Sequence, residues 1–216
     1  MNQFEIENKT NTIDISHYVE YTKVLGPYLR SALWVHGCNA GCTGCIAKEM
    51  NEEKGTIYDV DELAGLFSGI PNTEGITISG GEPFLQAKSI VTMIEKIRKI
   101  RDYGVIVYTG FLYEELDQSE DENIRKMLYN IDILIDGRYI KKLDDNIPYR
   151  GSSNQRIIQL TDRYQNVMNT YYHAHDKRKI EINVTENKVY LVGVPSEYGL
   201  KVWEDFKKKA GGKSGI

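Results

Sequence analysis

The chain has 216 residues, 41% hydrophobic and 27% charged, with a formal net charge of −4. That is enough apolar material for one globular core, and the scattered Lys and Arg form no basic stripe, so no direct nucleic-acid binding is expected. No run approaches the roughly 18 apolar residues of a membrane span, and "MNQFEIENKTNTIDIS" has no apolar secretion signal. The expected setting is a reducing cytoplasm.

Taken in order, residues 1–30 are assigned to an N-terminal arm, within which 13–25 mix apolar and polar positions as an opening strand or extended arm. A core over 31–160 follows. "SALWVHG" (31–37), "GITIS" (75–79), "VIVYT" (105–109) and "IDILID" (131–136) are short, rich in β-branched residues and apolar on both faces. Parallel strands covered by helices have that composition. Between them, 58–70 opens with acidic residues and predicts a helix, as acids suit a helix N-terminus. Residues 86–101 place Ile90, Met93, Ile94 and Ile97 on one helical face. The stretch 111–130 reads as one helix broken by polar residues, or two short ones. The expected fold is α/β, with a mainly parallel sheet curved or closed into part of a barrel.

A C-terminal extension over 161–210 is expected to be a hairpin plus helix. "RIIQL" reads as another strand, and 180–195 alternate on both sides of Glu186-Asn187, as hairpins do. Residues 196–210 predict a closing helix with Val202, Phe206 and Ala210 on its stripe. Lys207, Lys208 and Lys209 read as its solvated end, with contact to an acidic reductant the sharper alternative. The tail 211–216 is expected to be disordered. His173 and His175 could be a metal pair, but a solvated loop pair is the preferred reading, with Tyr171 and Tyr172 beside it.

All the cysteines lie in "GCNAGCTGC": Cys38, Cys42 and Cys45. A [4Fe–4S] cube needs one ligand per iron, so three thiols leave one iron open to a small molecule. The intervening small residues let the loop wrap a cluster closely. Two other readings stand beside it: a Cys3His zinc site completed by His36, and thiols without metal. The next apolar strand ends in Gly80-Gly81-Glu82-Pro83. Glycines there let a ligand approach the backbone, whose edge groups can meet an ammonium, although the same string also makes an ordinary turn.

Together these two motifs resemble the radical S-adenosylmethionine superfamily, whose partial (β/α) barrel is the expected fold. The resemblance implies Cys38, Cys42 and Cys45 as cluster ligands, with S-adenosyl-L-methionine on the open iron and its amino group against Gly80, Gly81 and Glu82. The aromatic residue common before the last cysteine is Gly44 here, leaving adenine contact to the backbone at Gly44 and Ile46. Further strings, "LGPYLRSALWVHGC", "VIVYTGFLYEEL", "IDILIDGRYI" and "YRGSSNQRI", are similar to the activating enzymes of anaerobic (class III) ribonucleotide reductase. Gly26 and Arg30 match their Gly-x-Gly-x-Arg pattern, while Tyr28 stands where the second glycine is expected.

That branch implies an oxidoreductase that installs a glycyl radical on a partner protein, with flavodoxin or ferredoxin as electron donor. It also implies Thr109 and Asp136 at strand ends near the methionine, with Asp136 a candidate ligand of a monovalent cation. Asn154 and Arg156 are expected to reach the methionine carboxylate or the partner, or else to satisfy loop backbone. A peptide or small-molecule substrate on the same cofactor is the first alternative, and a zinc-bound interaction module the second.

Overall fold

The computed structural model describes residues 11–168, 177–186, 188–210 and 214–215. Residues 171–176 lie outside them, and with them His173, His175, Tyr171 and Tyr172. In chain order the strands of the main sheet are β1 (Thr12–Thr22), β2 (Arg30–Val35), β3 (Thr56–Asp59), β4 (Gly75–Gly80), β5 (Gly104–Tyr108), β6 (Ile133–Asp136) and β7 (Arg156–Gln159). Their spatial order is β3-β1-β2-β4-β5-β6-β7. The middle four are parallel, while β1, β3 and β7 run antiparallel to their neighbours. The sheet is therefore mixed, with the expected parallel strands at its centre.

Of the two readings of residues 13–25, the opening strand is the one observed: β1 is paired on both sides, because Ile13 and Ile15 alternate into the core. One expectation is corrected beside it. The start expected for the first helix, Tyr58-Asp59, belongs to β3, since Thr56, Ile57 and Tyr58 suit an edge strand against β1. Asp59 then caps the helix by accepting the Asp61 N–H at 2.7 Å.

The helices are α1 (Lys48–Glu52), α2 (Val60–Gly69), α3 (Ala87–Ile100), α4 (Tyr113–Asp117), α5 (Glu122–Tyr129) and α6 (Glu197–Ala210). The stretch 111–130 is thus two helices, the second capped by Asp121, which accepts the Asn123 N–H at 2.8 Å. Strand alternation divides the core. Leu33, Val35, Ile76, Ile78, Val105, Val107 and Leu134 pack under α2, α3 and α5. On the other face, Ala32, Trp34, Ile106, Tyr108, Ile133 and Ile135 meet Tyr149, Tyr164, Met168 and Val192 from later in the chain. Residues Tyr164 and Met168 are thereby part of the main core, although the sequence placed them in the extension.

The extension carries β8 (Ile180–Val184) and β9 (Val189–Gly193), an antiparallel hairpin. It docks on β1: Glu181 accepts from Thr22 Oγ1 at 2.7 Å and from the Lys23 N–H at 3.1 Å. His17 and Tyr190 stack with centroids 3.5 Å apart. A two-residue strand, β10 (Ser214–Gly215), pairs with the free edge of β9, so the tail expected to be disordered is ordered at those residues. On α6 the buried residue is Trp203, at 1% exposure, while Val202 and Phe206 are 46% and 42% exposed. The predicted stripe is out of phase by one residue, because the turn after Pro195 sets the helix rotation.

Arg30 holds the second face at its base. It is fully buried, and its guanidinium donates to Thr77 Oγ1 (3.0 Å), Glu74 Oε2 (2.8 Å), Tyr164 Oη (2.9 Å) and the carbonyls of Pro27 and Ile76 (3.1 Å each). Beside it Tyr28 adopts φ +63°, a left-handed backbone that explains why a glycine is expected there. Arg30→Met should strip Glu74 of its buried guanidinium partner, leaving Arg163 and Tyr164 to hold the carboxylate, and cost about 3 kcal/mol. A urea midpoint within error of the wild type would contradict this.

Candidate active site: a thiol loop facing a glycine strand end

Parallel pairing of β2 with β4 places Val35 opposite Gly80. The cysteine loop leaves the end of β2, and Gly80-Gly81-Glu82 leave the end of β4. Two bonds fasten them together: the Gly81 N–H donates to Val35 O at 2.7 Å and the Glu82 N–H to Gly37 O at 2.8 Å. Neither glycine tolerates a side chain. Gly80 has φ +104°, and a Cβ there would lie 2.5 Å from Val35 O; a Cβ on Gly81 would collide with Gly37 O.

Two amides brace the loop from outside. Gln86 accepts the Asp14 N–H at 2.8 Å and donates to the carbonyls of Asp14 (2.9 Å) and His36 (3.1 Å). Asn51, on α1, accepts the Gly37 N–H at 3.0 Å and donates to Ala47 O at 2.9 Å. Sequence reasoning missed both, since a lone Gln or Asn carries no pattern.

The three thiols line one cavity with Gly44, Ile46, Gly80, Gly81, Glu82 and Thr109. Burial pushes the Cys38 and Cys45 thiols above the ordinary thiol range, so a bound metal would have to displace their protons. Glu82 is 2% exposed. Its Oε1 accepts from Thr109 Oγ1 (2.8 Å) and the Phe84 N–H (3.1 Å), and its Oε2 from the Gly110 N–H (2.8 Å). Burial nonetheless pushes its carboxyl up to about 7, against the opposing pull of those bonds. Such a group gains when a cationic ammonium enters beside it.

Trp34, Tyr108, Leu25, Leu191, Val194 and Leu200 complete the wall. Strand parity puts Trp34 and Tyr108 on this face, but nothing in the sequence shows that the extension covers it.

Asp136, Asn154 and Arg156 do not join the cavity. Asp136 lies directly opposite Arg156 across β6 and β7. Its fully buried carboxylate accepts Arg156 Nε at 3.0 and 3.1 Å and the Tyr113 N–H at 2.9 Å. Arg156 also forks onto Glu114 at 2.8 and 2.7 Å. Asn154 donates to Arg138 O and accepts from Ser152 Oγ, both at 2.8 Å. In this structure Asp136 and Arg156 form a brace joining β6, β7 and α4.

His36 is likewise committed elsewhere, with Nδ1 3.1 Å from Asp14 Oδ2 and Nε2 2.8 Å from Glu53 O. The Cys3His zinc set is not assembled, and among the described residues no three His, Cys, Asp or Glu converge on a single-ion centre. A cluster, whose irons occupy separate corners, fits the donor set better: three soft thiols around a cavity whose far edge is bare glycine backbone.

Glu82 yields a pH prediction. A carboxyl whose folded value is raised to about 7 stabilises the fold below its unfolded value, and that stability is lost as pH rises toward 7. The stability difference between wild type and Glu82→Gln should therefore shift against the wild type between about pH 4.5 and 7. Parallel urea-stability profiles for the two proteins across that range would contradict it.

The family model described as "4Fe-4S single cluster domain" matches residues 24–158. The anaerobic ribonucleoside-triphosphate reductase-activating protein of Haemophilus influenzae is 32% identical over 153 residues, covering 65% of this chain and 96% of that protein. Its namesake from bacteriophage T4 is 30% identical over 145 residues, covering 64% and 89% respectively. The Vibrio cholerae protein of the same name is 28% identical over 153 residues, covering 67% and 96%. With its cysteine loop and glycine strand end inside the matched span, this chain belongs to the 4Fe-4S single cluster domain family, among the anaerobic ribonucleotide reductase activase-like proteins.

Proposed function

We propose that the chain is a radical S-adenosylmethionine enzyme that installs a glycyl radical on a partner, anaerobic ribonucleotide reductase or a close relative. The observation that carries this reading is that three thiols and the Gly80-Gly81-Glu82 strand end line one cavity, with Gly81 and Glu82 hydrogen-bonded to the carbonyls of Val35 and Gly37 just before the first thiol. The named role of the relatives supports the choice of partner. On this reading the parallel centre of the sheet is the wall of a partial (β/α) barrel.

Cys38, Cys42 and Cys45 would hold a [4Fe–4S] cluster with one iron free for the methionine end of the nucleotide. When bound and reduced by a flavodoxin or ferredoxin in a reducing cytoplasm, cluster and nucleotide supply a 5′-deoxyadenosyl radical able to take a hydrogen atom from a glycine Cα. The chain's own residues bind and exclude. The bare backbone at Gly80 and Gly81 admits the ammonium, and Glu82, oriented by Thr109 and Gly110, meets its charge. Gly44 and Ile46 offer backbone to the nucleoside. Trp34, Tyr108 and Leu25 keep water from the reacting end.

Anaerobic reconstitution should load about four irons per chain. The reduced protein should then release methionine and 5′-deoxyadenosine, and give a glycyl-radical doublet by electron paramagnetic resonance once reductase is added. Alanine at any one of the three cysteines should cut cleavage at least about 100-fold. Loaded protein that cleaves nothing would overturn the cofactor reading; cleavage without the doublet would overturn the choice of partner.

A further inference from the structure

Among the described residues, three aromatic rings line the cavity: Trp34, Tyr108 and Tyr139. The first two are committed to packing, against the apolar cluster of Leu25, Ala32 and Val192. Tyr139 belongs to none of the apolar clusters of the described residues, although it stands beside the thiol loop. A Cβ on Gly44, the residue before Cys45, would lie 3.7 Å from its Cε1 and 3.5 Å from the Lys141 Cδ. On the other side, a Cβ on Gly151 would come within 2.8 Å of its Cδ2. The ring is thus set between two bare backbone positions, and a side chain at 151 would force it to shift.

The chain around that ring is fixed in advance. Gln155 Nε2 donates to Gly137 O at 2.8 Å, Asn154 Nδ2 to Arg138 O at 2.8 Å, and the Ile140 N–H to Ser152 Oγ at 3.1 Å. The backbone just before and just after Tyr139 is therefore tied, bond by bond, to the loop 151–155. Arg178 holds that loop to the extension, donating to Gly151 O at 2.8 Å and to Pro195 O at 3.1 Å. Fastenings this dense around a ring that packs into no core point to a ligand, since binding surfaces depend on side chains held in place beforehand. A fixed aromatic face on a cavity wall suits a flat heterocycle, which stacks by its face while its polar edge meets backbone groups. Gly44 and Ile46 supply such backbone in the same cavity.

We propose that Tyr139 is the stacking platform for the purine base of the nucleotide, with the 151–155 loop as the frame that holds the ring. This rests on the cofactor reading above and deepens it by assigning a side chain to the base.

Equilibrium dialysis of S-adenosylmethionine against the full, cluster-loaded, unreduced chain tests the assignment. Tyr139→Phe, which keeps the aromatic face, should bind within about twofold of the wild type. Tyr139→Leu should bind about tenfold more weakly at unchanged iron content. Gly151→Ala, which keeps the ring and pushes it aside, should bind at least about threefold more weakly. The platform is overturned if Tyr139→Leu or Gly151→Ala binds as the wild type does, if Tyr139→Phe is as weak as Tyr139→Leu, or if iron is lost with the ring. The two failures are separable: a wild type that binds no nucleotide brings down the cofactor reading as well, whereas a wild type matched by Tyr139→Leu brings down the platform alone.

Discussion

The register between β2 and β4 is the constraint on which the site depends. Once Val35 lies opposite Gly80, the loop carrying the cysteines and the turn carrying Glu82 must leave the sheet at the same edge, side by side. The two bonds from Gly81 and Glu82 to Val35 and Gly37 then lock loop to turn. A slip of one residue would turn the whole apolar set of β2 onto the wrong face, so the register is set by the hydrophobic core rather than by the site. Arg30, at the far end of β2, ties the same strand to Glu74, just before β4. The site thus inherits its geometry from a core that takes no part in its chemistry.

That dependence accounts for what could be read from the sequence. The cysteine spacing and the Gly-Gly-Glu string are local, and each falls at the end of a run whose β-branched composition marks it as a strand. The parallel centre of the sheet was legible for the same reason. Pairings between distant segments were not. Asp136 sits at a strand end, where ligands gather in α/β folds, but the antiparallel register of β7 puts Arg156 across from it and uses up its carboxylate. Nothing in residues 131–136 announces that partner. β3 was hidden because Thr56–Asp59 is short and runs directly into a helix.

The face of the sheet that bears the site shows a second kind of illegibility. Alternation along β2 and β5 places Trp34 and Tyr108 opposite the helices, and it leaves open what covers them. The answer lies beyond the family core: β9 and the turn before α6, held by Arg178 and by the stacking of Tyr190 on His17. Burial and Lys188 push His17 down to about 4, so the stacked ring is neutral across the ordinary pH range. On α6 the helical period was visible and its phase was not, because the preceding turn decides which side faces the core.

The central claim is that thiols and glycine strand end serve one ligand-bearing centre. Electron paramagnetic resonance of the reduced, iron-loaded protein, recorded with and without S-adenosylmethionine, tests it most directly. The account predicts that the nucleotide shifts the cluster signal in the wild type, and that Glu82→Gln, which adds no bulk against the cysteine loop, retains its iron while weakening that shift. A loaded wild-type protein whose spectrum is identical with and without the nucleotide would contradict it.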